Sequence, residues 1–278
     1  MPVSKLKNLA LLILVLANLA LLVLLVPGQY AEQREAAALR QSLSDLYARE
    51  QVRLDPDVVP DTVTLYALEL GENSQAALQA ATVLLGEDVA VQDDSTRYQS
   101  TFQSDRGQVQ LGRSGSFQAQ VKGQKETSDP VKTARRLLEQ MGFQCDSLSA
   151  PVRLRAGVYT VTAAQAVLGV PVFSEGLTLT FSNSALSDMQ GVFYTGTGSL
   201  TRSGDATCLS AADALVSFLS ARYDLGWVGS AVTAMEQGYL RLETASAAAT
   251  HLTPCWRLET DTGSFYIDGI TGEITAVP

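Results

Sequence analysis

The chain has 278 residues, 46% of them hydrophobic and 18% charged, and its formal net charge is −9. Such an acidic chain repels phosphate backbones and anionic lipids, which argues against nucleic acid and anionic wall polymers as partners. The length allows one large or two small domains after the first apolar segment.

That first segment, residues 6–26, is apolar apart from Lys7 and two asparagines. At about 1.5 Å per residue it would reach roughly 31 Å, close to the ~30 Å of a bilayer core. Lys5 and Lys7 place the N-terminus in the cytoplasm, because basic residues stay on that side. We therefore predict a cytoplasmic stub and a single-pass transmembrane anchor in residues 1–27, with the bulk of the chain extracytoplasmic.

A cleaved secretory signal is the alternative interpretation of the same residues. Signal peptides have a shorter apolar region of about 7–15 residues and end in a small-x-small site. This segment is longer and offers no such site around Pro27-Gly28, which favours a retained anchor. Asn18 lies at its middle, where an amide either contacts another membrane helix or bonds its own backbone. Asn18 is therefore the candidate residue for contact with a transmembrane partner.

Residues 28–60 predict a stalk helix followed by a linker. Leu39, Leu43 and Leu46 recur at spacings of four and three, which is typical of one apolar helix face. This helix either stands as a stalk or packs on the domain. The proline-rich residues 55–60 then end it.

The rest of the chain alternates single helices with groups of strands. Polar caps precede the helices and glycines follow them, and Ser128-Asp129-Pro130 is a cap with proline in the first turn. β-branched and aromatic residues are common in the segments between them. In chain order the sequence predicts a strand at 62–70, a helix from 73 or 74 to 85, short polar strands at 89–121, a helix at 131–141, strands at 152–194, a helix from 210 to near 226, and strands at 232–277.

This order predicts an α+β fold with antiparallel sheets, since the helices are separated from runs of adjacent strands. Residues 129–194 and 210–274 each run from a helix into a meander of strands. We therefore predict two similar helix-plus-meander units, each sheet packed with a helix. The corresponding boundaries are an N-terminal α+β subdomain at 61–126 and a C-terminal α+β region at 127–278.

The closing hairpin is predicted residue by residue. Trp256 and Leu258 share one face of a strand, and residues 261–263 turn the chain. Phe265 and Ile267 then share one face of the return strand. These residues predict a hairpin with an aromatic core, and this prediction does not depend on the protein's function.

Sequence patterns for catalysis are missing. The single histidine, His251, would have to serve any Ser-His-Asp or Cys-His site, and it follows an Ala/Ser-rich segment that is typical of a loop. No GxSxG turn, GxxxxGK[ST] phosphate loop or HExxH metal motif occurs. We therefore predict no catalytic residue, no cofactor and no metal site, and a protein that is not an enzyme.

Acidic clusters leave one alternative open, because two distant carboxylates can meet as a glycosidase pair. The clusters lie in predicted turns or linkers, where solvated acids are the ordinary case. They are Asp55, Asp57 and Asp61, then Glu87-Asp88, then Asp93-Asp94.

Three cysteines, Cys145, Cys208 and Cys255, lack a CxxC spacing. One pair could form a disulfide in an oxidising space, whereas three small buried side chains fit this count better.

Three parts of the chain resemble the YycH/YycI family, the YycI type more closely. They are residues 4–8 running into the membrane segment with Asn18-Leu19, the strands at 168–173, 177–181 and 191–194, and the hairpin of residues 252–258 and 265–273. The resemblance implies a single-span protein of Gram-positive bacteria that binds a sensor histidine kinase and a related single-span regulator. It further implies regulation of a cell-wall-related two-component system through transmembrane helix contacts, without catalysis.

The same closing hairpin is similar to that of PepSY-type domains. This implies the alternative function, an extracytoplasmic binding or inhibitory module. An exchange of the anchor for an unrelated membrane helix separates the two hypotheses, since only the first depends on the anchor's own side chains.

Overall fold

The computed structural model describes residues 33–71, 73–94, 98–195, 200–242 and 250–277. The predicted anchor at 6–26 and its Asn18 lie outside these residues. Across the described ranges, no helix is both long and apolar enough to cross a membrane. The described chain is α+β, with four α-helices and a large, mainly antiparallel sheet system, as the sequence predicts.

The helices begin where the sequence places their caps. Asn73, Asp129 and Ser210 each accept a hydrogen bond from a backbone N–H of the first turn, which satisfies a donor that has no partner inside the helix. Gly142 ends its helix in the left-handed conformation, which favours glycine. The helices are α1 at 33–49, α2 at Ser74–Leu85, α3 at Pro130–Met141 and α4 at Ala211–Ala221.

Sixteen strands and one short 3-10 turn, Pro56–Val58, complete the described part of the chain. The strands are β1 (Arg53–Leu54), β2 (Tyr66–Leu70), β3 (Ala90–Asp94), β4 (Gln99–Ser104), β5 (Gly107–Gly112), β6 (Ser116–Val121), β7 (Cys145–Leu148), β8 (Val152–Arg155), β9 (Val158–Val167), β10 (Val170–Ser182), β11 (Ala185–Val192), β12 (Leu200–Thr207), β13 (Ala231–Leu242), β14 (Thr250–Thr260), β15 (Gly263–Asp268) and β16 (Ile274–Ala276).

The first sheet comprises strands β3 to β11, in the order β3-β4-β5-β6-β11-β10-β9, with β7 and β8 lying along the outer edge of β9. Neighbouring strands in it are antiparallel. Helices α2 and α3 cover one face, where Leu84 and Leu138 are fully buried against Phe102, Val109 and other strand residues. Apolar side chains alternate with polar ones along the strands, and none of the described elements covers the opposite, polar face.

The second sheet is built around β14, which pairs with β13 on one side and with β2 and β15 on the other. Helix α4 packs on it with Phe218 fully buried between Trp227 and Phe265, at ring centroid separations of 5.1 Å. Trp256 is also fully buried, and its indole N–H donates to the Leu209 carbonyl at 2.9 Å. The predicted hairpin is confirmed: Trp256 lies opposite Ile267, and residues 261–262 form the turn.

Strand β10 belongs to both sheets. Its first residues pair in parallel with β13, at Val172 opposite Tyr239, and its remainder pairs with β9 and β11. The crossing is close, because a Cβ added at Gly238 would lie 2.5 Å from the Phe173 ring and 2.7 Å from the Pro171 carbonyl oxygen. The shared strand joins the two sheets into one continuous system.

Helix α1 packs on the second sheet, so of the two predicted roles, a stalk or a helix packed on the domain, the structure shows the second. Leu43 and Tyr47 are buried, and the Tyr47 hydroxyl donates to the Leu215 carbonyl at 2.8 Å. The predicted face was Leu39, Leu43 and Leu46, but Leu39 and Leu46 are 52% and 37% exposed. The buried stripe follows the i, i+4 spacing of Leu43 and Tyr47, because the helix approaches the domain along that line.

The two predicted helix-plus-meander segments contain α3 with β7–β11 and α4 with β13–β16. The structure adds a third such segment, α2 with β3–β6, which joins the first sheet because β6 pairs with β11. Each sheet is therefore packed by two helices, rather than the predicted one. A sheet of seven or more strands is too wide for one helix of about 10 Å diameter to cover.

Candidate binding face

Three of the residues that the sequence offered for catalysis, His251, Asp55 and Asp61, lie in ordinary structural positions. His251 lies half-buried in β14, opposite Glu69 and Leu242 on the neighbouring strands. Among the described residues, no group of three His, Cys, Asp or Glu side chains could hold a metal ion. Asp55 caps the 3-10 turn, and Asp61 forms an ion pair with Arg40 at 2.5 Å. These acids have local structural partners.

The three cysteines are free thiols. Cys208 belongs to the core beneath α4, whereas Cys255 lies on the opposite face of the second sheet with Phe173 and Tyr266. Burial raises the pKa of both thiols, which keeps them protonated and unreactive at neutral pH. Small buried side chains are therefore found at Cys208 and Cys255, whereas Cys145 is half-buried, and no pair of the three is bridged.

A small, partly open cavity lies where the two sheets meet, lined by Leu70, Ala77, Tyr194 and neighbouring residues. Gln165 is buried beside it and binds Tyr194 twice, accepting from its N–H at 2.8 Å and donating to its carbonyl at 3.0 Å. The cavity holds about 30 Å³, room for a single water molecule, whereas ligand pockets in proteins take ~300–1,000 Å³. It is therefore part of the packing between the sheets.

The face of the first sheet opposite α2 and α3 consists mainly of polar side chains. Cross-strand partners in a sheet point to the same face, so the pairing register identifies its side chains. One row crosses seven strands as Gln92, Thr101, Gln110, Gln118, Gln190, Thr178 and Thr162. A second row, two residues along each strand, reads Ala90, Gln103, Gln108, Gln120, Asp188, Thr180 and Thr160. We call these fourteen residues the amide face.

The amide face is accessible and almost neutral. Gln103, Gln118, Gln120 and Gln190 are exposed, and none of the fourteen residues is buried. Asp188 is the single ionisable side chain in the two rows. Neighbouring positions lie about 4.8 Å apart across the strands and about 7 Å apart along them. The result is a regular array of amides and hydroxyls on an otherwise acidic protein.

A groove of about 330 Å³ opens on this face, lined by Gln99, Gln110, Gln118 and Gln190 together with Ser116, Phe117 and Gly191. The ring of Phe117 is buried in the core against Phe193, so it does not belong to the amide face. The Gln99 amide donates to the Gln110 side-chain oxygen at 3.0 Å, which fixes the orientation of both amides. A groove of this size reaches the lower end of the range for small-ligand sites.

The alternation of the strands produces this face from local sequence. In β6 the odd positions Phe117, Ala119 and Val121 are buried, while Ser116, Gln118 and Gln120 are exposed. Sequence reasoning identified residues 89–121 only as short polar strands and assigned them no role. The missed signal was the glutamine spacing, since seven of the 29 residues from 92 to 120 are glutamine, many two positions apart.

Comparisons with known proteins give no family for this chain. No family model and no curated protein matches the sequence. Among solved structures, an uncharacterized protein from Eubacterium rectale matches with 11% identity and a TM-score of 0.45, over 80% of this chain and 89% of that one. The C-terminal domain of Bacillus megaterium YpeB matches with 10% identity and a TM-score of 0.38, over 75% of this chain and 99% of that one. Both TM-scores lie below 0.5, so the resemblance to the YycH/YycI family stays a prediction.

Proposed function

We propose that the folded part of this protein is a binding module of the PepSY-like kind that acts outside the cytoplasm and is not an enzyme. The carrying observation is the amide face, two in-register rows of mostly neutral polar side chains that no described element covers, on a sheet whose other face is packed by two helices. A surface of this kind offers many donors and acceptors, and Asp188 is its single ionisable side chain. Binding is the function that such chemistry supports.

The test measures retention of the full-length protein, in a sugar-free detergent, on envelope fractions from the cells that make it. We expect the wild type to bind and Gln118→Glu with Gln190→Glu to lose at least nine-tenths of that binding. These substitutions keep the side-chain shape while removing donors and adding charge. The matched control is Gln75→Glu with Gln144→Glu, the same charge change at exposed glutamines in the first turn of α2 and on the loop between α3 and β7. Equal binding by the face variant and the wild type would refute the proposal.

A second candidate function, regulation of a sensor histidine kinase through the anchor, draws support from the docking of α1. Tyr47 ties α1 to α4, and the Arg222 guanidinium, 7% exposed, pairs with Glu50 at 2.6 Å. We expect these contacts to transmit a displacement or rotation of α1 to α4 and the second sheet. Membrane location, Asn18 and the kinase partner are proposals of this hypothesis. Replacement of residues 6–26 by an unrelated membrane helix should abolish kinase regulation but leave envelope binding intact.

A further inference from the structure

The composition of the amide face restricts the chemistry of what it binds. It contains no Lys or Arg side chain, so it offers nothing to phosphates or other anions. It contains no aromatic residue, Met or Arg, the types that supply most of the binding energy at protein interfaces. What remains is a ligand that is neutral and recognised by hydrogen bonds.

From these observations we infer that the amide face binds a neutral polysaccharide; this inference rests on the proposed function and names its ligand class. Each glutamine amide donates two hydrogen bonds and accepts at its oxygen, and each threonine hydroxyl donates and accepts. Sugar hydroxyls have the same dual capacity. A polymer of hydroxyl-bearing rings can therefore bond to successive positions of the first row without burying a charged group of the protein or of the ligand.

The ligand lies along the centre of the face. The groove sits over Gln110, Gln118 and Gln190, which are consecutive positions of the first row on adjacent strands β5, β6 and β11. The Gln99–Gln110 hydrogen bond holds one wall in place before binding. Preorganisation of this kind reduces the entropy that binding must overcome. Asp188 occupies the second row, where it repels anionic polymers, consistent with a neutral ligand.

The affinity should be modest, because neutral hydrogen bonds to an accessible surface replace equally good bonds to water. Four to six such bonds without aromatic stacking correspond to a dissociation constant of about 0.1–1 mM for an oligosaccharide. A long polymer, which engages several positions or several anchored copies at once, is retained more tightly through avidity.

Isothermal titration of the full-length protein in sugar-free detergent tests the inference, with chitohexaose and cellohexaose as neutral probes and a polygalacturonate oligomer as the anionic one. We expect at least one neutral probe to bind in the submillimolar to millimolar range and the anionic probe not to bind. Gln118→Glu with Gln190→Glu should weaken neutral binding at least tenfold, while Gln75→Glu with Gln144→Glu leaves it unchanged. Circular dichroism melting of the variants shows whether each retains the fold.

Enzymatic treatment of the envelope fraction separates failure of this inference from failure of the proposed function. Loss of face-dependent retention after glycosidase digestion, but not after proteinase K, supports the polysaccharide. Loss after proteinase K alone, with no binding of either neutral oligosaccharide, overturns the inference and leaves the binding module standing. Absence of any face-dependent retention overturns both.

Discussion

Asp261 illustrates what a single side chain contributes at a tight turn. It lies in the β14–β15 turn, and its carboxylate accepts from the Ser230 backbone N–H at 2.9 Å and from the Ser230 hydroxyl at 2.8 Å. These bonds to the charged form hold the pKa of Asp261 below its ordinary value of 3.8. The carboxylate thus pins the segment before β13 to the closing hairpin.

The sign of the pH dependence follows from that lowered pKa. A group with a lower pKa in the folded state stabilises the fold above its unfolded pKa, and this contribution is lost as the pH falls through the folded pKa. We expect Asp261→Asn to lower the melting temperature at pH 7, and the difference from the wild type to shrink toward zero below about pH 4. Thermal melts between pH 2.5 and 7 measure it. A gap that stays constant over this range would contradict the assignment.

At the scale of elements, the outer edge strand β8 of the first sheet carries features that discourage pairing with another strand. Strand β8 is four residues long, shows an irregular register opposite β9 between Arg153 and Arg155, and each of its residues is exposed. Short length, irregular pairing and charge each discourage another strand from adding to an edge. The strand also exposes two apolar side chains, Val152 at 56% and Leu154 at 63%, which would favour association with another strand if these features were removed.

Removal of the charges should therefore expose an associating edge. We expect Arg153→Val with Arg155→Val to give concentration-dependent oligomers. Arg135→Val with Arg136→Val, on the exposed side of α3, makes the same charge change and should leave the assembly state as it is in the wild type. Sedimentation velocity in a density-matched detergent solution distinguishes the outcomes. Equal association of both variants would point to net charge rather than to the β8 edge.

At the scale of the whole molecule, the crossing of β10 over β13 couples the two sheets. Gly238 has no room for a side chain, since both the Phe173 ring and the immobile Pro171 carbonyl lie within 2.7 Å of a Cβ built there. We expect Gly238→Ala to destabilise the protein by about 3 kcal/mol, the upper end for overpacking by one methyl group. Denaturant unfolding followed by tryptophan fluorescence measures this loss.

A double variant shows whether the contact is the cause. Phe173→Ala removes the ring but leaves the Pro171 carbonyl, so Phe173→Ala with Gly238→Ala should cost less than the sum of the single changes. Strictly additive losses would mean that the Phe173 ring and Gly238 act independently, and the crossing would not be the point of coupling.

The sequence by itself determined the helices of the described chain, the closing hairpin and the α+β class. Caps such as Asp129, stops such as Gly142 and the alternation around Trp256 act within a few residues, so local physics is sufficient to predict them. The sequence also supplied the anchor prediction at 6–26, which the described residues do not test.

Tertiary structure alone decided which polar strands became neighbours. Gln118 and Gln190 are 72 positions apart, and only the pairing of β6 with β11 places them side by side. Likewise, Tyr47 replaced Leu39 and Leu46 as the buried contact of α1, because the approach of the helix to α4 is set by distant packing. Strand pairing over long separations depends on the burial of a common apolar face, and that face exists only once the whole sheet has formed.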